Sequence, residues 1–306
     1  MADLSRVKLA NGIELDVWDS GPKDAPALIF LHGFPENHRT WRHQIEHLNS
    51  RFRCIAPDQR GYGNSSRPEG VEHYEPMVVA QDIGLLAQAL ELGSYTIIGH
   101  DWGGAIAWLV AAFGQASGHV TRAVIANAPH PVLFAELLLK DREQRAASQY
   151  MRTFRDPAHD PLVREHGLGA LLLKAISWDR KIANDPAEQA LQMEEWADQT
   201  RAFAMLNWYR ASGLYVPSMD EPFGLPASYA APPFPKLKIP TLVIWGMEDE
   251  ALLPANVDGL TDWVENLTVE RIADAGHFIP WESPDAVNAA LDGFLAQIFL
   301  ADGTST

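Results

Sequence analysis

The sequence predicts an α/β fold, in which a mostly parallel sheet carries helices on both of its faces. The 306 residues alternate between short apolar runs and helix-like stretches, and 47% of the residues are hydrophobic. Each apolar run ends in a polar or glycine-rich loop, which is typical of buried parallel strands with functional groups at their carboxyl ends. The five clearest runs are ALIFLHG, RCIAPD, YTIIGHD, RAVIANA and TLVIWG.

The flanking segments complete this core. The first is predicted to be a hairpin, because VKLANGIELDVWDSG places the turn-forming pair Asn11 and Gly12 between two strand-like runs. The five apolar runs follow it as strands. Near the other end, LTVERIADAGH predicts a last strand and PDAVNAALDGFLAQIF predicts a closing helix. We therefore expect the α/β core to consist of residues 1–129 and 236–306.

The stretch between these two ranges has a different character. Residues 130–235 contain almost no β-branched runs, and we expect them to form an inserted helical lid. Two segments have helical patterns, LFAELLLKDREQRAASQYMRTFR and EQALQMEEWADQTRAFAMLNWYRA. In the second segment, one helical face is predicted to carry Met193, Trp196, Phe203 and Leu206. The proline-rich VPSMDEPFGLPASYAAPPFPKLKIP predicts an irregular return to the core.

Composition and charge exclude several classes of partner. The formal net charge of −16 argues against binding to nucleic acid or to an anionic membrane, since phosphate contacts need clustered lysine and arginine. No run of about 18 apolar residues predicts a membrane-spanning helix. The polar start MADLSRVKLANG has no apolar signal-peptide core, so we expect a cytoplasmic protein. The single cysteine, Cys54, is interpreted as a small core residue.

The stretch IIGHDWGGAIAW has the spacing of a nucleophile elbow, the sharp strand-to-helix turn written Gly-x-nucleophile-x-Gly. Its central position is Asp101, where hydrolases of this design usually have serine. A carboxylate can attack an electrophilic sp³ carbon to form an alkyl ester on the enzyme, which water must then hydrolyse. This chemistry needs a general base, for which histidine suits neutral pH, and an oxyanion hole.

The two partners of such a nucleophile follow later strands. His277 lies in the loop after the last predicted strand, and Asp249 lies in the loop after the preceding one. The order Asp101, Asp249, His277 is the nucleophile, acid and histidine order of an α/β-hydrolase. Asp249 is expected to orient the imidazole and to stabilise its charged form, with the neighbouring Glu248 and Glu250 as alternatives.

Backbone amides and aromatic side chains supply the rest of the predicted site. We expect the oxyanion hole to consist of the backbone N–H groups of Phe34, in LHGFPE, and Trp102. Trp41, Phe34 and Trp102 are candidates for the substrate pocket; for Trp41 and Phe34, as for Trp281, core packing is an equally good explanation. Asn127, at the end of another predicted strand, is uncharged and therefore not a candidate for the acidic partner.

Five motifs together resemble the epoxide hydrolases of the α/β-hydrolase fold: LHGFPE, DQRGYGNS, GHDWGGAIAW, LVIWGMEDEALLP and DAGHFIPWESP. The resemblance covers nearly the whole chain. It implies an α/β-hydrolase core, an epoxide and water as substrates, and no cofactor or metal. These core motifs are also similar to those of haloalkane and haloacetate dehalogenases, which use the same aspartyl-ester chemistry, so the core leaves the substrate open.

The lid motifs separate these alternatives. Epoxide hydrolases use two lid tyrosines to protonate the epoxide oxygen, because an alkoxide is a poor leaving group. LNWYRA resembles the second tyrosine motif of that family and marks Tyr209, while SQYMRTFRDP resembles the first and marks Tyr150. Tyr215 and Tyr229 are weaker candidates for these roles.

Two departures argue against the dehalogenases. A haloalkane dehalogenase commonly has asparagine directly after its His-Gly pair, where this chain has Phe34, whose side chain cannot donate a hydrogen bond. A haloacetate dehalogenase has arginine after the nucleophile, where this chain has Trp102. Two weaker alternatives stay open. HQIEH matches a zinc-peptidase pattern without an evident third ligand, and a non-catalytic member of the fold could bind ligands only.

Overall fold

The computed structural model describes residues 4–176 and 185–301, and within these ranges eight strands form one sheet. The strands are β1 (Ser5–Lys8), β2 (Glu14–Ser20), β3 (Ala27–Leu31), β4 (Arg53–Pro57), β5 (Tyr95–His100), β6 (Val120–Ala126), β7 (Thr241–Gly246) and β8 (Leu267–Ile272). Their order across the sheet is β1-β2-β4-β3-β5-β6-β7-β8. The β1–β2 and β2–β4 pairs are antiparallel and all others are parallel. The predicted strands are thus confirmed.

The helices fall into two groups. Those of the core are α1 (Arg42–Leu48), α2 (Pro76–Ala89) and α3 (Asp101–Gly114). Between β6 and β7 the chain forms α4 (Pro131–Lys140), α5 (Arg142–Ala147), α6 (Tyr150–Arg155), α7 (Asp160–Ala175), α8 (Pro186–Ala197) and α9 (Gln199–Ala211). The core is completed by α10 (Ile279–Glu282) and α11 (Pro284–Ala301). Short 3₁₀ turns occur at His38–Trp41, Val71–Tyr74, Gln115–Ser117, Pro157–His159, Pro254–Val257 and Leu260–Asp262.

The central strands β3, β5 and β7 are buried on both faces of the sheet, which explains why their sequences are almost continuously apolar. Along β3, Ile29 and Leu31 belong to one hydrophobic cluster, while Leu28 and Phe30 belong to another, as the two-residue period of a strand requires. The first cluster extends into the inserted helices, for example to Leu206 in α9. One face of the sheet and the lid therefore share a single apolar core.

The two long lid helices that the sequence predicts are each interrupted. The first segment forms α4, α5 and α6, because the side chain of Asp141 accepts from the backbone N–H of Gln144 and starts a new helix. In the second, Asp198 accepts from the N–H groups of Thr200 and Arg201, which ends α8 and starts α9. The prediction of one continuous face was therefore wrong, and Met193 is 47% exposed.

The return from the lid is irregular, as predicted. Residues 212–240 contain no helix or extended strand, and Leu237 makes an isolated bridge to Val264 as the chain re-enters the core. In the ranges 4–176 and 185–301, no helix combines the length and the apolar character that crossing a membrane requires. The carboxyl ends of the parallel strands all lie along one edge of the sheet, and the predicted site residues follow these ends.

Candidate active site

Asp101 lies at the sharp turn between β5 and α3, with a left-handed backbone at a φ of +50°. This conformation is unfavourable for a residue with a side chain, and close packing holds it in place. A Cβ on Gly103 would lie 2.4 Å from the carbonyl oxygen of His32, and one on Gly33 would lie 2.5 Å from the Cβ of Asp101. Glycine at both positions lets the chain approach closely enough to present the carboxylate above the sheet edge.

Both oxygens of the Asp101 carboxylate face polar groups. Oδ1 accepts a hydrogen bond from the backbone N–H of Phe34 at 2.7 Å, and Oδ2 lies 3.5 Å from Nε2 of His277. Burial by itself raises the pKa of Asp101, but the hydrogen bond and charge of His277 outweigh it, so the pKa lies below its ordinary value. The carboxylate is therefore ionised at neutral pH.

The imidazole of His277 is held between two carboxylates. Its Nδ1 donates to Oδ2 of Asp249 at 2.8 Å, while Oδ1 of Asp249 accepts from the N–H groups of Ala251 and Leu252, both at 2.8 Å. Burial lowers the pKa of His277, but Asp249 and Asp101 together raise it well above the ordinary value. The predicted trio Asp101, Asp249 and His277 thus meets at one point, although the residues are far apart in sequence.

Asn127 has a place in the site that sequence reasoning missed. Its Nδ2 donates to Oδ2 of Asp249 at 2.6 Å, and its Oδ1 accepts from the backbone N–H of Gly246 at 2.8 Å. It therefore links the ends of β6 and β7 and fixes the carboxylate that contacts His277. In the sequence, the one signal for Asn127 is its position directly after a strand; the structure adds that its backbone is left-handed, with a φ of +39°.

A second buried chain of polar groups, also missed, lies behind His277. Nε2 of His100 is 2.7 Å from the backbone carbonyl oxygen of His277 and must donate to it, which leaves Nδ1 as an acceptor in the neutral ring. Oε2 of Glu36 lies 3.8 Å from that Nδ1, while Oε1 accepts from Nε1 of Trp281 at 2.7 Å. Burial lowers the pKa of His100 to about 4 and raises that of Glu36 to about 7.

The two predicted lid tyrosines lie together. Tyr150 at the start of α6 and Tyr209 in α9 are both buried, with their ring centroids 6.2 Å apart. The ring of Tyr209 packs edge-on against Trp102 at 5.1 Å and against Phe34 at 4.9 Å. Burial, reinforced by nearby negative charge such as that of Asp101, raises the pKa of both hydroxyls well above the ordinary value. Both therefore keep their protons and can donate them.

A cavity of about 200 Å³ reaches the Asp101 carboxylate. Beside Asp101 and Ser212, its lining is apolar and includes Trp102, Leu109, Phe134, Met151 and Leu214. A space of this kind suits a small substrate with an uncharged, apolar body.

Trp41 lies elsewhere, although it was considered a pocket residue. It packs with Phe30 in the hydrophobic cluster on the other face of the sheet and donates from Nε1 to the carbonyl oxygen of Leu31. The indole can be fully buried there because its N–H group has a buried hydrogen-bond acceptor. Phe34 stays at the site, where its ring contacts Tyr209 and Phe154.

Two other candidates lie outside this cavity lining. In HQIEH, Nε2 of His47 lies 2.8 Å from Oδ2 of Asp292 on α11. Within the described ranges, no group of three or more His, Cys, Asp or Glu side chains is arranged to hold a metal ion. Tyr215 is 59% exposed, and its hydroxyl is hydrogen-bonded to Glu221.

Known proteins are similar to this chain in sequence and in fold. A family model for the alpha/beta hydrolase fold matches residues 26–284. Epoxide hydrolase 2 of Caenorhabditis elegans is 31% identical over 94% of this chain and 79% of its own length. An AB hydrolase superfamily protein of Bacillus subtilis is 34% identical over 93% of this chain and 95% of its own length.

Solved structures give the same result. One, from work on novel epoxide hydrolases in metagenomes from hot environments, is 58% identical with a TM-score of 0.93, covering 96% of this chain and 99% of that one. The Bacillus megaterium epoxide hydrolase in complex with an inhibitor is 30% identical with a TM-score of 0.82, covering 95% of this chain and 100% of that one. The chain therefore belongs to the α/β-hydrolase fold family, among the members related to epoxide hydrolases.

Proposed function

We propose that this protein is an epoxide hydrolase, which converts an epoxide and water into a vicinal diol. The observation that carries the proposal is a buried, ionised Asp101 carboxylate at one small cavity, with two buried tyrosines beside it. Tyr150 and Tyr209 lie next to each other, and the ring of Tyr209 packs against Trp102, which lines that cavity. Opening an oxirane needs a nucleophile at carbon and a proton donor at oxygen, because the departing alkoxide is strongly basic. The names of the related proteins support the same substrate class.

In the first step, an oxygen of Asp101 attacks one oxirane carbon and forms an ester bond. The ring C–O bond breaks as this bond forms, and the ring oxygen takes a proton from Tyr150 or Tyr209. The product of this step is a hydroxyalkyl ester on Asp101 and one tyrosinate. The apolar walls of the cavity hold the remainder of the substrate and strengthen these polar interactions by excluding water.

In the second step, His277 accepts a proton from water, and the resulting hydroxide attacks the ester carbonyl carbon of Asp101. The oxyanion of the tetrahedral intermediate is stabilised by the backbone N–H groups of Phe34 and Trp102. Asp249 stabilises the imidazolium that forms. Collapse of the intermediate breaks the ester C–O bond, and the departing alkoxide takes the proton that the hydroxide brought into the Asp101 carboxyl, so that the diol leaves and Asp101 is ionised again. The imidazolium proton then restores the tyrosine.

The same proposal divides the chain into an α/β core of residues 1–129 and 236–306 and a lid of residues 130–235. The core carries the nucleophile, the acid and the histidine, whereas the lid carries both tyrosines. The bridge of Leu237 to Val264 supports a boundary close to residue 236. Parts of the proposed ranges, residues 1–3, 177–184 and 302–306, lie outside the described residues.

Product analysis tests this function directly. The purified protein is incubated with styrene oxide, cyclohexene oxide and a short haloalkane, alongside the variants Asp101→Ala and Tyr209→Phe. We expect diols from the wild type and none from Asp101→Ala. Diol formation by Tyr209→Phe should be roughly 100-fold slower than by the wild type, because one of the two acids is lost. Halide release without diol would identify a dehalogenase instead. Ligand binding that Asp101→Asn leaves unchanged, with no turnover by the wild type, would identify a binding protein.

A further inference from the structure

Arg155 uses all three of its side-chain nitrogens at the end of α9. Its Nε donates to the carbonyl oxygen of Tyr209 at 2.8 Å, its Nη1 to the carbonyl oxygen of Leu214 at 2.6 Å, and its Nη2 to Oγ of Ser212 at 2.7 Å. The helix ends at Ala211, so the carbonyl of Tyr209 lacks a partner within the helix. The guanidinium therefore fixes the turn of α9 on which Tyr209 stands.

The same side chain connects the two tyrosines. Arg155 is the last residue of α6, and Tyr150 is the first residue of that helix. Ser212, which accepts from Arg155, also donates from Oγ to the carbonyl oxygen of Tyr209 at 3.1 Å. Ser212 and Leu214 line the cavity that reaches Asp101. One cation thus fixes the helix of each tyrosine and one wall of the cavity relative to one another.

We propose that Arg155 is the positioning residue of the tyrosine pair, which holds both hydroxyls in place for ring opening and stabilises the negative charge that they receive. This inference rests on the proposed epoxide hydrolase function. A planar guanidinium with three separate acceptors is a rigid connection, and an error of about 1 Å in such a site can cost roughly 100-fold in rate. As the ring oxygen leaves, negative charge moves towards the tyrosines, and a nearby cation favours that transfer.

The electrostatics of the site agree with this role. Burial is the main cause of the raised pKa of Tyr150, Asp101 raises it further, and the charge of Arg155 acts in the opposite direction. Burial also lowers the pKa of Arg155 itself, but a guanidinium stays protonated in proteins. A permanent cation therefore acts on a hydroxyl that must carry negative charge in the transition state.

Arg152 provides a matched control on the same helix. Its Nη1 donates to the carbonyl oxygen of Val216 at 2.9 Å, in the irregular return segment. Val216 lies beyond the cavity-lining residues Ser212 and Leu214 and beyond the end of α9. Removing Arg152 therefore deletes an arginine and a backbone contact of similar kind without releasing the turn that carries Tyr209.

The test is a single-turnover experiment with enzyme in excess over styrene oxide, on the wild type and on Arg155→Met, Arg155→Lys and Arg152→Met. Acid quenching and mass spectrometry follow the ester on Asp101, which separates its formation from its hydrolysis. We expect Arg155→Met to slow ester formation about 10- to 100-fold while hydrolysis changes by less than about 3-fold. Lysine keeps the charge, so Arg155→Lys should recover part of the loss. Arg152→Met should leave both steps within about 3-fold of the wild type.

Several results would overturn the inference. Equal slowing of both steps in Arg155→Met, or no more slowing than in Arg152→Met, would show a purely structural role. If Arg155→Lys forms the ester no faster than Arg155→Met, the positive charge at this position does not contribute, and the electrostatic part of the proposal is wrong. Thermal melting checks folding, and if Arg155→Met does not fold, selective slowing in Arg155→Lys decides the question. Absence of any ester in the wild type would overturn the proposed function itself, which is a distinct outcome.

Discussion

At the scale of single residues, Asp101 and His277 stabilise each other's charged forms. In the free enzyme the carboxylate raises the pKa of the imidazole, and the imidazole lowers the pKa of the carboxylate. Ester formation removes the negative charge of Asp101. The pKa of His277 must then fall, because one of the two carboxylates that raised it is gone. In the proposed reaction His277, which is charged in the free enzyme, then releases its proton to solvent and is a neutral base when water has to be activated.

This coupling predicts different pH profiles for the two steps. Ester formation needs ionised Asp101, whose pKa lies below its ordinary value, so this step should stay constant down to about pH 5. Hydrolysis needs neutral His277, so its rate should fall as the pH drops through the pKa of His277 in the ester. Single-turnover measurements across the pH range check both profiles.

The variant Asp249→Asn is the control for this assignment. It should slow hydrolysis by roughly 100- to 10,000-fold, since the imidazolium loses its carboxylate, and the ester on Asp101 should accumulate. A hydrolysis rate that does not depend on pH, or an Asp249→Asn variant that hydrolyses the ester normally, would contradict the roles of His277 and Asp249.

Some residues of the site could be predicted from the sequence, and others could be found only in the structure. The proximity of Asp101, Asp249 and His277 could be predicted because each follows a strand in a motif of its own. Glu36, Asn127 and Arg155 could not, because their significance depends on long-range contacts, such as that of Glu36 with Trp281. A polar residue next to a motif can equally be a solvated surface residue or a local hydrogen-bonding group. Only its three-dimensional contacts show whether it belongs to the site.

At the scale of secondary-structure elements, strands were predicted better than lid helices. A buried parallel strand has the sequence pattern of a short apolar run with a polar end, and this pattern differs clearly from that of the neighbouring segments. The lid helices have continuous helical patterns across Asp141 and Asp198, so each sequence segment reads as one helix. A side chain that accepts from backbone N–H groups decides where a new helix begins, and aspartate is equally common on exposed helix faces.

The junction between β6 and α4 contains an unusual buried histidine. Both ring nitrogens of His130 lack hydrogen-bond partners among the described residues, and its ring is surrounded by aromatic side chains. The ring centroid lies 5.2 Å from that of Trp108, 4.6 Å from that of Phe234 and 4.8 Å from that of Trp263. Burial lowers the pKa of His130 to about 3.

His130 should therefore make the protein sensitive to acid. Its folded pKa lies below the unfolded value of about 6.5, so the unfolded chain binds the extra proton and the free energy of unfolding falls as the pH drops. The loss is about 1.4 kcal/mol for each pH unit below the unfolded pKa. Between about pH 7.5 and pH 5, His130→Phe should gain about 2 kcal/mol relative to the wild type, as measured by urea unfolding. A difference that stays constant with pH would contradict this.

At the scale of the whole molecule, the site is assembled across the junction of core and lid. In the proposed mechanism the core contributes the nucleophile and the base, while the lid contributes the two acids. Buried indole hydrogen bonds join the two parts: Nε1 of Trp196 donates to the carbonyl oxygen of Pro35 at 2.8 Å, and Nε1 of Trp208 donates to that of Arg60 at 3.0 Å. The alternation of strand-like and helix-like runs and the order of the motifs along the chain made this architecture predictable, whereas the exact packing of lid on core was not predictable.

The central claim is that a covalent ester on Asp101 lies between epoxide and diol. Its most direct test is a single turnover in ¹⁸O-labelled water with enzyme in excess over styrene oxide, followed by mass spectrometry of the diol and of the peptide that contains Asp101. If water attacks the ester carbonyl, the first diol contains no ¹⁸O and the label appears in the carboxylate of Asp101. Label in the first diol, with an unlabelled Asp101, would show direct attack of water on the epoxide and would contradict the account.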